Sequence, residues 1–540
     1  MSYTSLKFAV FVCISAAAYF MFPIKKQKWI VLLAASYVFY LMAGYRYAAY
    51  ILVTTLTTYL CAVAMGDISE KSKAVLGENK TLWDREQKKE YKAKIKQQKK
   101  RLLTLVLVLN LGILGFLKYF NFFAGSLNDV LGGLGLQFSV PTLRLILPLG
   151  ISFYTFQSMG YVMDVYNEKV QAERNPLKVA LFVSFFPQII QGPIGFYDHL
   201  AKQLYEPHDF SFSRMKHGCE LILWGAFKKM IIADRAVILI NGVLEDYAAF
   251  NGTALTITVL MYALQLYADF SGGIDISRGV AQIFGIEMGE NFCRPYFARN
   301  ISEYWRRWHI SLGAWMRGYV FYPIAMSKLF SNASKKLKKS KFANTKLGAH
   351  IAKVLPTSFA SLIVFFLVGV WHGANWKYVG FGLWNGGVIM LSTLLEPVFA
   401  DWTTALKIKT ECFGFRLFQM ARTFVVVLVG YVFDVAPDLG WSFETFRRML
   451  FTQDLRLGFG QIMGLGLDVM DYGMLAACTL ILFAVSLIQE RNSTITVRQM
   501  LDEKPFILRF AVILAGIMMI LVFGIYGPEY SAAEFVYMQF

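Results

Sequence analysis

Two of the six histidines stand apart from the rest. His309 lies in Trp308-His309-Ile310-Ser311 and His372 in Trp371-His372-Gly373-Ala374, each directly after a tryptophan. His372 also closes the apolar run Phe359–Val370. An ionisable group beside such a run is expensive unless it serves a purpose, so it reads first as a functional residue. Imidazole, with an ordinary pKa of about 6.5, exchanges a proton near neutral pH and suits a general base. Acyl transfer to a hydroxyl needs such a base, which takes the proton as oxygen attacks a thioester carbonyl. The collapsing intermediate then needs donors for its oxyanion. Asn375, three residues beyond His372, and the amides of Gly373 and Ala374 are candidates. No Gly-x-Ser-x-Gly sequence occurs, so direct transfer without a serine acyl-enzyme is the simpler scheme. A structural histidine bonded to a neighbouring helix competes with this reading on position alone. His208, His217 and His350 lie in polar sequence and read as solvated side chains, and His199 follows a Pro/Gly-rich turn.

If Glu303–Gly318 is one helix, Trp305, Trp308, Leu312 and Trp315 share a face. Arg306 and Arg317 then share a flank about a quarter turn away, and His309 projects between the aromatic and cationic surfaces. An aromatic belt at a membrane interface would give the same tryptophan stripe, but it does not require the histidine at its border.

The elements that position these residues must lie in a membrane. The chain of 540 residues is 56% hydrophobic and only 17% charged, with mean hydropathy +0.46, unlike a soluble domain. Apolar runs near the length of a bilayer crossing recur throughout, at Leu6–Phe22, Tyr47–Gly66, Leu102–Ala124, Gly473–Gln489 and Phe506–Gly524. They predict an all-α polytopic protein with ten or more membrane helices. Net charge is +18, concentrated in two stretches. Asp67–Arg101 carries twelve Lys/Arg against six Asp/Glu, and Lys328–Lys353 carries eight Lys and no acid. Short basic loops mark the cytoplasmic side, so these are expected to face the cytoplasm and anionic lipid rather than nucleic acid. Lys25, Lys26 and Lys28 follow the first span, which places the N-terminus outside and keeps that span as an anchor. The scattered cysteines suggest no disulfide framework and no metal site.

After residue 178 the pattern changes. Ala180–Gln191 is interrupted by Pro187, and Leu221–Leu244 carries Lys228, Lys229, Asp234 and Arg235 inside an apolar run. Lipid-facing helices cannot hold such groups, because unsatisfied polar groups in hydrocarbon cost several kcal/mol each. The centre is therefore expected to contain broken or re-entrant helices facing protein or water. The expected organisation is residues 1–144 as N-terminal membrane helices with the basic loop 67–101, 145–398 as a core, and 399–540 as C-terminal membrane helices.

Several ordered blocks resemble the membrane-bound O-acyltransferase superfamily, in particular the bacterial branch of alginate O-acetyltransferase and D-alanyl-lipoteichoic acid transfer proteins. They are Leu147-Pro-Leu-Gly-Ile-Ser-Phe-Tyr-Thr-Phe-Gln157 with Asp164-Val-Tyr166, and Phe185-Phe-Pro-Gln188 running into Gln191-Gly-Pro-Ile194. Tyr267-Ala-Asp-Phe-Ser-Gly272 and Glu290-Asn-Phe-Cys-Arg-Pro-Tyr296 follow. The set ends with Glu303-Tyr-Trp-Arg-Arg-Trp-His-Ile-Ser-Leu312 and Val370-Trp-His-Gly-Ala-Asn-Trp376. The chain departs from the alginate-type pattern at Gly318, usually Asp, at the lysine-rich stretch Lys328–Lys353, and at Asp434, where arginine is common. The resemblance implies His372 as the catalytic histidine and His309 as the second motif position. We expect Trp305, Arg306, Trp308, Ser311, Arg317, Trp371, Asn375 and Asp269 to contact substrate. It also implies a ring of helices around a thinned centre with a transmembrane tunnel.

The reaction implied is transfer of an acyl group, acetyl first, from a cytoplasmic thioester to a polysaccharide or cell-wall polymer outside a bacterial cytoplasmic membrane. Acetyl-CoA is the expected donor and no permanently bound cofactor is expected. Expected partners are membrane lipids, acyl-CoA or an acyl carrier protein inside, and outside a secreted or membrane-anchored serine-hydrolase-like transferase. Broken polar helices also build transporters and flippases, against which the chain shows no internal repeat. D-alanyl transfer from a carrier protein and a scaffold for polymer export are the other readings.

Overall fold

The computed structural model describes residues 3–526 except 137, 146 and 493; residues 527–540 of the expected C-terminal segment lie outside these. Helix dominates, and no strand occurs among the described residues. Backbone N–H and C=O groups in hydrocarbon must bond within their own segment, which favours helix for every long apolar run. Among the described residues seven helices are long and apolar enough to cross a membrane, or eight if a pair bent by 61°, Trp376–Leu394 with Glu396–Ala405, counts as one span. Other apolar helices are shorter than these. Leu6–Met21, Lys28–Ala43 and Ile151–Tyr166 have 16 residues each, about 24 Å of helix.

The chain divides into two compact units, Met1–Ile222 with Ser277–Gly289, and Leu223–Ile276 with Glu290–Phe540. In the first, the basic stretch 67–101 expected as a loop is largely helical. Ala48–Glu78 runs through Gly66 into the basic stretch, and Arg85–Gly133 emerges from it as one helix of 49 residues. A capping box between Asp84 and Gln87 starts the second helix, so charged residues extend each span instead of forming a loop. The Gly-rich stretch after Ala124 remains helical to Gly133. Arg174 pairs with Asp67 and Glu70, and Lys99 reaches Glu168 at 2.9 Å. The Lys99 ammonium holds the Glu168 carboxyl below its ordinary range, with Lys73 adding to the effect. This anchor is therefore formed at neutral pH and lost only as pH falls through the carboxylate range.

Near Pro187 the helix breaks as the sequence suggests. Pro176–Ser184 ends at Phe185 and Phe186–Ile189 restarts after it. Buried amides bond the carbonyls around the break. Gln157 donates to the carbonyl of Phe182 at 2.6 Å, and Gln188 donates to Gln157 at 2.7 Å and to the carbonyl of Pro193 at 2.6 Å.

The second unit shows how charge is carried inside an apolar run. Phe227–Ala233 is a π-helical stretch that widens the helix around Lys228 and Lys229. Lys229 is buried between Asp269 at 2.5 Å and Asp234 at 2.8 Å, and Lys228 meets Asp275 at 2.7 Å and Ser271 at 2.9 Å. Arg235 pairs with Asp471 at 3.0 Å and donates to the carbonyl of Phe523. Each charge in Leu221–Leu244 thus faces a protein partner, as hydrocarbon requires.

Lys346–His372 and Trp376–Leu394 form a tightly packed pair joined by three residues. The stretch Lys328–Lys353, expected as a loop, is largely helical and leads into the first of them. Near the turn the backbones approach at Gly369 and Gly382. A Cβ at Gly369 would lie 2.3 Å from the carbonyl oxygen of Tyr378, and one at Gly382 would lie 2.5 Å from that of Phe365. Small residues permit this approach between helices in lipid. Gly369→Val should therefore separate the pair and lower the amount of folded protein together with acyl transfer. Immunoblotting of membrane fractions beside polymer ester content checks this; normal levels of both would contradict the packing.

Candidate active site

His372 ends the Lys346–His372 helix and is buried, 8% exposed. Its imidazole lies 4.9 Å from the Phe381 ring and 5.5 Å from the Trp371 indole, centroid to centroid. Beyond it, Asn375 caps the Trp376–Leu394 helix, its side-chain oxygen accepting from the amide of Lys377 at 3.0 Å. The oxygen is committed to the cap, so the side chain's donor end is the part suited to an oxyanion.

His309 interrupts the helix drawn over Glu303–Gly318. Ile301–Arg307 ends at Trp308, whose backbone is extended, and Ile310–Met316 begins after His309, a non-glycine residue at φ 46°. The left-handed conformation costs roughly 1–3 kcal/mol and persists only where neighbours enforce it. Phe292 pairs antiparallel with Trp308, and the amide of Cys293 donates to the carbonyl of Arg307 at 2.9 Å. Asn291 contributes its carbonyl to the amide of Ile310 at 3.0 Å and its side-chain oxygen to the amide of Ser311 at 2.9 Å. That same oxygen lies 3.3 Å from His309 Nδ1. The Phe270 ring packs edge-on against the imidazole at 4.8 Å.

The break removes the single wheel expected for Trp305, Trp308 and Trp315, and with it the common flank of Arg306 and Arg317. Trp308 is buried among Phe292, Tyr304 and Tyr431. Trp305 donates to Asn385 at 3.1 Å and packs on Phe365. Arg306 and Arg317 are exposed. Ser311 sits at the first turn after His309 with its amide bound to Asn291. Asp269 is buried on Lys229, next to Phe270 in sequence. Trp371 links the two histidines, its indole 6.1 Å from His309 and 5.5 Å from His372. Histidines 63 positions apart in sequence therefore share one aromatic neighbour.

Two contributors carried no sign in the sequence pattern of what they do. Asn291 lies in a block singled out above, but nothing in its spacing marks it as the cap of a distant helix. Glu490, near the end of Val469–Arg491, receives Arg294 at 2.6 Å and Arg307 at 2.9 Å, while Arg307 also pairs with Glu303 at 2.8 Å. This network holds the residues flanking His309. Glu490→Ala should lower acyl transfer about tenfold at normal protein level, because small misplacements of catalytic groups are costly. Glu490→Asp should recover part of the loss. An unchanged rate in a polymer-ester assay would contradict the link.

Residues 168–345 match the membrane-bound O-acyltransferase family. The chain carries a membrane-bound O-acyltransferase domain. His309 lies inside the matched segment and His372 beyond it. The chain is 29% identical to a probable alginate O-acetylase, AlgI, of Azotobacter vinelandii over 80% of its own length and 74% of that protein. It is 32% identical to a peptidoglycan O-acetyltransferase of Helicobacter pylori, over 53% of this chain and 54% of that one. A teichoic acid D-alanyltransferase of Bacillus subtilis is 29% identical over 52% of this chain and 70% of its own length. The protein is an O-acyltransferase, and its long apolar helices fit a multi-pass membrane protein.

Proposed function

We propose that this O-acyltransferase moves an acetyl group from acetyl-CoA on the cytoplasmic side of a bacterial inner membrane to hydroxyls of an extracytoplasmic polysaccharide or cell-wall polymer. The observation that carries the reading is that His309 and His372 both neighbour the Trp371 indole. His372 takes the proton of the attacking hydroxyl, or of a partner's hydroxyl, as its oxygen bonds to the thioester carbonyl. When the tetrahedral intermediate collapses, the C–S bond breaks and the proton passes to the departing thiolate, so the ester gains the acyl group and coenzyme A leaves as thiol. Asn375 and the Gly373 and Ala374 amides serve the oxyanion, and His309 assists from beside the same indole. Trp305, Trp308, Ser311 and Trp371 shape the site.

The orientation rests on charge: Lys25, Lys26 and Lys28 and the two basic stretches fit the cytoplasmic side and leave the N-terminus outside. A serine-hydrolase-like partner completes transfer on the far side. The resemblance to alginate and peptidoglycan acetylating relatives favours acetyl, and the teichoic acid D-alanyltransferase keeps D-alanyl from a carrier protein as the second reading. Mass spectrometry of surface polymers from cells with and without the gene separates them. Loss of acetyl esters supports the first, loss of D-alanyl esters the second, and no change in either removes both.

A further inference from the structure

We propose that Asn291 is the positioning residue that fixes His309 as the Nδ1-protonated tautomer, leaving the lone pair on Nε2; this rests on the reading of His309 as part of the reaction site. The side-chain amide of Asn291 meets both His309 and Ser311. Its oxygen and nitrogen could exchange places without changing shape, so orientation must come from partners. The backbone amide of Ser311, 2.9 Å away, can only donate. The Asn291 atom facing it must therefore be the carbonyl oxygen, because an amide nitrogen there would set two donors against each other.

That oxygen is also the atom 3.3 Å from His309 Nδ1. An oxygen that can only accept requires a proton on Nδ1, and a neutral imidazole protonated there keeps its lone pair on Nε2. The main chain of Asn291 strengthens the arrangement. Its carbonyl accepts from the amide of Ile310 at 3.0 Å, so one residue binds the first two amides of the Ile310–Met316 helix from a distant segment. Those amides have no partner within their own helix, and a cap supplied from elsewhere holds the turn in which His309 takes φ 46°. Asn291 is fully buried, so water does not compete for its oxygen. The tautomer of His309 thus depends on the Asn291 side chain, and its backbone conformation on the Asn291 main chain together with the Phe292–Trp308 pairing.

Solid-state 15N NMR of the full-length protein in lipid, labelled at histidine, tests this, with His309→Gln used to assign the His309 signals. The wild type should show a protonated Nδ1 and an unprotonated Nε2 for His309. The reverse tautomer overturns the proposal without any variant at Asn291. Asn291→Ala should mix the tautomers and lower kcat for acyl transfer roughly a hundredfold with little change in KM for the donor. Asn291→Asp keeps an acceptor at the same place and should restore the Nδ1-protonated form and most of kcat. If folded Asn291→Asp is no better than Asn291→Ala, or if the tautomer is unmoved in Asn291→Ala, the assignment is wrong. His309→Ala with full activity would instead remove His309 from the reaction, while the NMR signals of the wild type still decide the tautomer.

Discussion

Replacing His372 by alanine should abolish polymer acylation, lowering it by about a hundredfold or more, while the protein remains in the membrane at normal level. General acid–base catalysis by one positioned side chain contributes on the order of 10²–10⁴ in rate. In the proposed reaction the same imidazole removes the proton from the nucleophile and returns it to the leaving thiolate, so both halves of the step would lose their catalyst. His372→Gln preserves size and polarity and should be as inactive, which separates proton transfer from packing against Phe381. The test is ester content of the isolated polymer beside an immunoblot of the membranes. Acylation near the wild-type level in either variant would contradict the role.

A second large effect concerns stability. Lys229 is buried against two carboxylates, Asp234 and Asp269. Lys229→Met removes the cation and leaves both acids without their ion partner, and breaking a buried pair in this way costs about 3–5 kcal/mol. Little Lys229→Met protein should reach the folded state, and what does should lose structure at a markedly lower temperature in detergent. Adding Asp234→Asn and Asp269→Asn removes the stranded charges and should recover much of the loss. A single variant as heat-stable as the wild type, measured by size-exclusion after graded heating, would mean that the ion cluster does not support the fold. The cluster has a further consequence for the site. Asp269 precedes Phe270, whose ring packs on His309, so loosening the pair should also disturb the imidazole.

The helical class was legible because it depends on local composition, and the two Trp-His pairs stood out as short motifs that the fold brings to one aromatic neighbour. The break at Pro187 was legible for the same reason, since proline removes a donor within the helix. Other features depend on partners far away in sequence. His309 has no intrinsic preference for a left-handed backbone, and Asn291 and the Phe292–Trp308 pairing help impose it. Periodicity therefore drew one helix through a turn. The lysine-rich stretches read as loops because charge is common in loops, yet Asp84 and Gln87 cap a helix within one of them. Asp269 read as a substrate contact from its motif, while the structure buries it on Lys229, from a segment forty residues earlier. The pairing of charges inside Leu221–Leu244 follows from the π-helical stretch, which hydropathy cannot reveal.

The most direct measurement supplies acetyl-CoA labelled with 13C in the acetyl group to inside-out membrane vesicles that contain the protein, its natural partners and its polymer. The cytoplasmic face is then the one exposed to donor. The account predicts labelled O-acetyl esters on polymer inside the vesicles, absent when His372 is replaced by glutamine. Polymer that stays unlabelled with the wild-type protein, or labelling that survives His372→Gln, would contradict it.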